Sequence, residues 1–216
     1  MNEYQETRRD FIRSAIIATA ALPILANCEG SMFAVEAKPD ILDLIKKNAK
    51  PAGAEAMGAI DAPATVGWTT TLSNETDKGE PMTISGTVFQ SDSKTPAPNT
   101  LIYLYHTDFE GYYGRNGQHK HGRYRGWMLT DKNGRYSFRS IKPAPYPEMK
   151  WAAHIHMTVT GLKHREDWID SILFEGDRLI NSHERSIAGQ KGGFKPIVSL
   201  ERQGKILVGT RDILMS

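Results

Sequence analysis

From Met82 onward the chain is cut into short apolar or alternating runs by turn signals that recur about every ten residues. This pattern constrains the fold more than any other feature. Thr83–Phe89 alternates in polarity, and Leu101–Tyr105 is a buried-looking run entered through the turn Pro96-Ala97-Pro98-Asn99. Trp127–Thr130 and Tyr136–Phe138 flank Asp131-Lys132-Asn133-Gly134, which reads as a hairpin turn because Asn-Gly favours positive φ. His154–Thr160, Ser171–Phe174, Pro196–Leu200 and Lys205–Leu214 supply further strands. So many short strands predict an all-β fold, an antiparallel β-sandwich.

The segments before Met82 differ. Arg8-Arg9-Asp10-Phe11-Ile12-Arg13 precedes an uncharged apolar stretch from Ala15 to Ala26, the order of an export signal. That stretch is shorter than the ~20 apolar residues a membrane-spanning helix needs. The paired arginines resemble a twin-arginine signal, which serves proteins exported after folding, to a periplasmic or cell-envelope location. Cys28 is the only cysteine of the 216 residues, so no disulfide forms within one chain. It follows Leu25-Ala26-Asn27, similar to a lipobox, and is read either as a lipid-anchored residue or as part of a plain cleaved signal. Residues 1–35 are therefore assigned to the signal. Residues 36–78 form a short amphipathic helix near Pro39–Lys47 followed by an Ala/Gly/Pro-rich arm, and residues 79–216 form the sandwich. The formal net charge is +2 with no basic run, which gives no indication of nucleic-acid binding.

Chemistry concentrates in Ala153-His154-Ile155-His156. On a strand, residues i and i+2 share a face, so both imidazoles project side by side and make half of a metal site. Tyr146, between Pro145 and Pro147, and the Gly111-Tyr112-Tyr113 segment offer phenols nearby. The flanking prolines restrict the backbone around Tyr146. A phenol with a pKa of ~10 binds metal only when a strongly Lewis-acidic cation, usually ferric iron, holds it deprotonated.

The chain resembles the intradiol ring-cleavage dioxygenases, most closely their protocatechuate dioxygenase branch. The resemblance is carried by one collinear series covering Met82 to roughly Leu179. It comprises Ser85-Gly86-Thr87-Val88, Pro98-Asn99-Thr100-Leu101-Ile102, Gly111-Tyr112-Tyr113, Arg125-Gly126, Leu129-Thr130-Asp131, Gly134 to Pro143, Tyr146-Pro147, Ala153 to His156, and Phe174-Glu175-Gly176-Asp177. The resemblance implies that Tyr113, Tyr146, His154 and His156 bind Fe(III), with Tyr113 and His154 equatorial and Tyr146 and His156 axial. It chooses Tyr113 over Tyr112 because the family's tyrosine closes Gly-x-Tyr. It implies insertion of both atoms of O2 between the hydroxyl-bearing carbons of a catechol, giving a muconate-type diacid, with Tyr146 as the catalytic base for a substrate proton. Expected partners are a small aromatic diol and O2, and the resemblance allows a homo-oligomer.

Two positions depart from the family pattern. Trp151 stands three residues before His154, where the family commonly has arginine, and indole offers one N–H and no charge. Ser171 stands where catechol dioxygenases usually carry glutamine. These departures keep a second reading open, a metal-binding or carbohydrate-contacting sandwich that lost the chemistry. The remaining histidines read blandly. His119 and His121 are expected to be solvated in a polar loop, and His106 packed or hydrogen-bonded at a strand end.

Overall fold

The computed structural model describes residues 39–49, 58–114 and 119–215. The expected signal, Arg8-Arg9 and Cys28 lie outside the described residues. Helix α1 (Pro39–Asn48) is followed by β1 (Thr69–Thr71), β2 (Pro81–Phe89), β3 (Leu101–His106), β4 (Arg125–Leu129) and β5 (Arg135–Ile141). Then come β6 (His154–Gly161), β7 (His164–Phe174), α2 (Ser182–Ile187), β8 (Ile197–Val198), β9 (Glu201–Gln203), β10 (Ile206–Thr210) and β11 (Ile213–Leu214). No described helix is long and apolar enough to cross a membrane.

The strands form two sheets. One runs β1-β5-β2-β10-β9 with β11 also on β2, and the other runs β4-β3-β6-β7-β8. Their facing sides bury Met82, Ile84, Val88, Tyr136 and Phe138 against Ile102, Leu104, Met128, Ile155, Met157 and Ile172. Each large side chain enclosed this way contributes roughly 1.5–3 kcal/mol of transfer free energy. The sandwich is all-β as the sequence predicts. Its central ladders, β2/β5, β3/β4, β3/β6 and β6/β7, are antiparallel. Four outer pairs, β1/β5, β2/β10, β2/β11 and β7/β8, run parallel instead.

One expectation needs correcting. Asp131–Gly134 does not close a hairpin, because β4 pairs with β3 in one sheet and β5 with β2 in the other. The turn chemistry is as read: Gly134 has φ 72°, and the Asp131 carboxylate accepts from the N–H groups of Asn133 and Arg135 at 2.9 and 2.8 Å. Turn residues fix a reversal of direction, while the sheet each arm joins is set by burial on both sides. The β6–β7 connection is the tight hairpin, with Gly161 opposite His164 across Leu162-Lys163.

The outer side of the second sheet is covered by α1 and the arm. Leu42, Ile45, Ala59, Ala62 and Val66 pack there with Leu101 and Leu129. Glu166 of β7, fully buried, accepts from the Ala59 N–H at 3.1 Å and the Thr158 hydroxyl at 2.8 Å, which pins the arm to the sheet. Beyond the arm's coverage this same sheet face carries His154, His156 and Trp168.

Candidate metal centre

On β6, Ile155, Met157 and Val159 point into the core, so the alternating positions His154 and His156 emerge together on the other face. Their Nε2 atoms lie 3.1 Å apart. Tyr146 arrives on the loop after β5 and places its hydroxyl 3.2 Å from His154 Nε2. Tyr113 arrives on the loop after β3, with its hydroxyl 2.5 Å from that of Tyr146. Two nitrogens and two oxygens from three chain segments thus converge on one point. Tyr112, next in sequence to Tyr113, is 44% exposed.

The two loops are held to one another by short-range contacts. The Thr107 hydroxyl donates to the Ala144 carbonyl at 2.8 Å, and the Ala144 N–H donates to the Asp108 carbonyl at 3.1 Å. Gly111 has φ 87°, and a Cβ there would fall on the Pro145 carbonyl oxygen, so only glycine lets the loops approach this closely. The Met149 N–H donates to the Tyr146 carbonyl at 2.8 Å and closes the turn after the prolines. Asp177, the acid of Glu175-Gly176-Asp177, accepts from the N–H of Ala153 at 3.0 Å and of Leu179 at 2.9 Å, setting the entry into β6.

The donor chemistry fits a cation. His154 Nδ1 faces the Ala152 carbonyl at 2.7 Å and must donate to it, which leaves the lone pair on Nε2. His156 Nδ1 lies 3.2 Å from the Ser171 hydroxyl, which can accept from it in the same way. With Nδ1 protonated on both rings, the two Nε2 lone pairs face each other 3.1 Å apart, an arrangement that a cation bound by both relieves. Burial holds the imidazole of His154 below its usual range and pushes that of His156 down to about 3, so both are neutral near pH 7. For His154 the Glu184 carboxylate pulls weakly in the opposite direction. Burial, then the hydrogen bond to Tyr146, pushes the Tyr113 phenol up, so its deprotonation needs a strongly Lewis-acidic partner. Among the described residues no group of three His, Cys, Asp or Glu side chains is placed to hold a metal.

Two of the cavities at the cluster share Tyr146 and His156. One, of about 350 Å³, is lined by Tyr146, His154, His156 and Ser171, with a wall of Trp151, Leu173, Ile187, Ala188 and Pro196 and the carboxylates of Asp170 and Glu184. Trp151 is 58% exposed at its mouth. It lies on the loop before β6, and Lys150 beside it does not line the cavity. The other cavity, about 500 Å³, is lined by Tyr105, Tyr113, Lys120, His121, Tyr146, His156 and Trp168.

His121 is not solvated as the sequence reading expects. It is 7% exposed, stacks on Tyr105 at 3.9 Å between ring centroids, and has Nδ1 2.7 Å from the Tyr103 hydroxyl. Its imidazole is pushed down to about 4, chiefly by burial. His119 is exposed, as expected. The signal missed was the run Leu101–His106, buried throughout. Because β3 is covered on both faces it shows no alternation, so nothing marked Tyr103 and Tyr105 as a platform for a ring from the next loop. His106 is buried with both ring nitrogens 2.7 Å from partners, the Thr107 carbonyl and the Ser140 hydroxyl.

Comparison with known proteins adds three findings. A family model described as Dioxygenase matches residues 60–192. Catechol 1,2-dioxygenase of Acinetobacter baylyi is 30% identical over 124 residues, 49% of this chain and 40% of that protein. The protocatechuate 3,4-dioxygenase beta chain of Burkholderia cepacia is 29% identical over 143 residues, 59% and 57% of the two chains. The chain thus spans about half the length of these relatives. Among solved structures, the dioxygenase domain of a dioxygenase–carbohydrate-binding protein fusion from Streptomyces sp. SirexAA-E superposes with a TM-score of 0.52 at 22% identity, over 68% of this chain and 86% of that one. Catechol 1,2-dioxygenase from Acinetobacter sp. ADP1 also gives 0.52, at 20% identity over 68% and 56%. At these identities the structural likeness speaks for the fold.

Proposed function

Because the chain belongs to the intradiol dioxygenase family, whose model spans residues 60–192, we propose that it is an exported non-haem Fe(III) enzyme that cleaves a catechol-type aromatic between its two hydroxyl-bearing carbons. The observation that carries the reading is the convergence of Tyr113, Tyr146, His154 and His156, linked in that order by contacts of 2.5, 3.2 and 3.1 Å, beside a cavity of ring size. In the reaction the bond between the hydroxyl-bearing carbons breaks and both atoms of O2 enter the product, so no external reductant is required.

Tyr113, Tyr146, His154 and His156 would hold the iron. A ferric ion held there would supply Lewis acidity towards the diol and O2. The remaining work belongs to the chain. Tyr146 touches both cavities and, as a tyrosinate, can accept a diol proton. The Ala152 carbonyl and the Ser171 hydroxyl fix the ring planes of His154 and His156. Trp151, Leu173, Ile187 and Pro196 supply an apolar wall that holds the ring and limits water. Trp151 occupies the place of a cation, and among the described residues no lysine or arginine lines this cavity. That observation favours the second reading, a metal-binding sandwich without ring-cleavage activity.

Oxygen uptake by the iron-loaded protein with catechol, hydroxyquinol and protocatechuate separates the two. The proposal expects one O2 consumed per ring opened with at least one of them. Saturable catechol binding without oxygen uptake supports the second reading. Export is part of the proposal and rests on Arg8-Arg9 and the apolar stretch that follows. A Lys-Lys replacement should hold the protein in the cytoplasm, and unchanged export would assign another route.

A further inference from the structure

The proposed chemistry leaves two side chains of the Trp151 cavity unused, Asp170 and Glu184. Apart from the cluster's own phenol and imidazoles they are the only ionisable groups among the described residues that line it, and both are acids. One carboxylate oxygen of Asp170 accepts from the N–H groups of Gly189 at 2.8 Å and Lys191 at 3.2 Å. Its charge is felt by the buried Arg211, which itself donates to the carbonyls of Gly193 and Asp212 and does not line the cavity. Glu184 uses one oxygen to accept from the Asn181 N–H at 2.9 Å and makes no ion pair with a described residue. Its charge therefore faces the cavity without a counter-ion from these elements.

A ring that lies in this cavity with its hydroxyls at His154, His156 and Tyr146 faces the rest of this lining with its far edge, whereas Lys120 lines the other cavity. Besides Asp170, that lining includes the exposed indole of Trp151, the apolar groups of Ile187, Ala188 and Pro196, and the Glu184 carboxylate. An indole face and a carboxylate attract a cation and repel an anion. We propose that Glu184 and Trp151 make the site selective by substituent charge, preferring aminoalkyl catechols to neutral ones and neutral ones to carboxylated ones. The inference rests on the ring-cleavage reading of the site, and deepens it by naming the substrate class.

The test uses three catechols that differ only in the group para to one hydroxyl: aminoethyl, ethyl or carboxymethyl. Titration calorimetry of the iron-loaded full chain without oxygen should give Kd values rising in that order, by about threefold or more per step, as expected for charges that solvent still screens. Glu184→Gln removes the charge yet keeps the helix cap, since glutamine serves equally at that position. It should shrink the aminoethyl-to-carboxymethyl preference by about threefold to fivefold. Trp151→Arg should reverse the preference. Aerobic kcat/KM values should follow the same order. Affinities that ignore charge, or a ratio that Glu184→Gln leaves unmoved, overturn the inference even if every ring is cleaved. A charge order in Kd with no ring cleaved sustains this inference and removes the ring-cleavage reading instead.

Discussion

The two histidines and the two tyrosines of the cluster are held by different kinds of structure. His154 and His156 ride on β6, a central strand paired with β3 on one side and β7 on the other, and their spacing follows from the pleat alone. Tyr113 and Tyr146 sit on separate loops, and what brings them together is a handful of contacts between those loops: Thr107 to Ala144, Ala144 to Asp108, and the close approach of Gly111 to Pro145. The imidazole half is as rigid as the sandwich. The phenol half depends on contacts that single substitutions can remove, and it should fail first.

The largest effect is expected at Gly111. Gly111→Ala forces a side chain into a left-handed backbone and onto the Pro145 carbonyl, at a cost of about 2–3 kcal/mol. It should also part the two phenols and lower ring-cleavage activity by about 100-fold, the penalty of misplacing a reacting group by ~1 Å. Thermal unfolding and steady-state kinetics check both. Activity near wild type would mean that the loops do not need this contact.

A smaller effect is expected at His106, which anchors the end of β3 beneath the Tyr146 loop. Burial pushes its imidazole from the usual 6.5 down to about 4. Between those values the unfolded chain binds the proton and the folded one does not. Stability is therefore intact above about pH 6.5 and falls as pH drops towards 4, by about 1.4 kcal/mol per unit from this group. Urea midpoints of the iron-loaded protein at pH 7 and pH 5.5 measure the slope. A His106→Asn variant with the same slope would assign it to other groups.

The smallest effect falls on the rigid half. Ser171→Ala removes the partner of His156 Nδ1 but leaves β6 in place, so iron affinity should fall by about tenfold or less with little change in stability. Competition with a chelator measures it. A much larger loss would mean that the strand does not hold His156 unaided.

The same contrast explains what the sequence revealed. The His-x-His pair, its strand and its shared face followed from an alternation of period two, and the core positions of β2 and β6 followed likewise. Tyr146 was suggested by its flanking prolines, but its meeting with Tyr113 followed from no local rule, because loop-to-loop contacts have no periodicity; a resemblance to known proteins joined the two. The Asp131–Gly134 turn was recognised while its sheets were not, since sheet membership is a long-range matter. The first half of β7 was missed because Arg165-Glu166-Asp167 looks solvated, whereas Glu166 is buried by the arm that it hydrogen-bonds. His121 was misread for a similar reason: its burial comes from Tyr103 and Tyr105, fifteen or more residues away in sequence.

The central claim is that two phenols and two imidazoles hold ferric iron together. The most direct measurement is the visible absorption spectrum of the iron-loaded protein beside those of Tyr113→Phe and Tyr146→Phe. The account predicts a coloured protein with a tyrosinate-to-iron charge-transfer band that each substitution shifts or weakens, because each removes one of the two phenolates. An iron-loaded protein that is colourless, or whose band both substitutions leave unchanged, would contradict it.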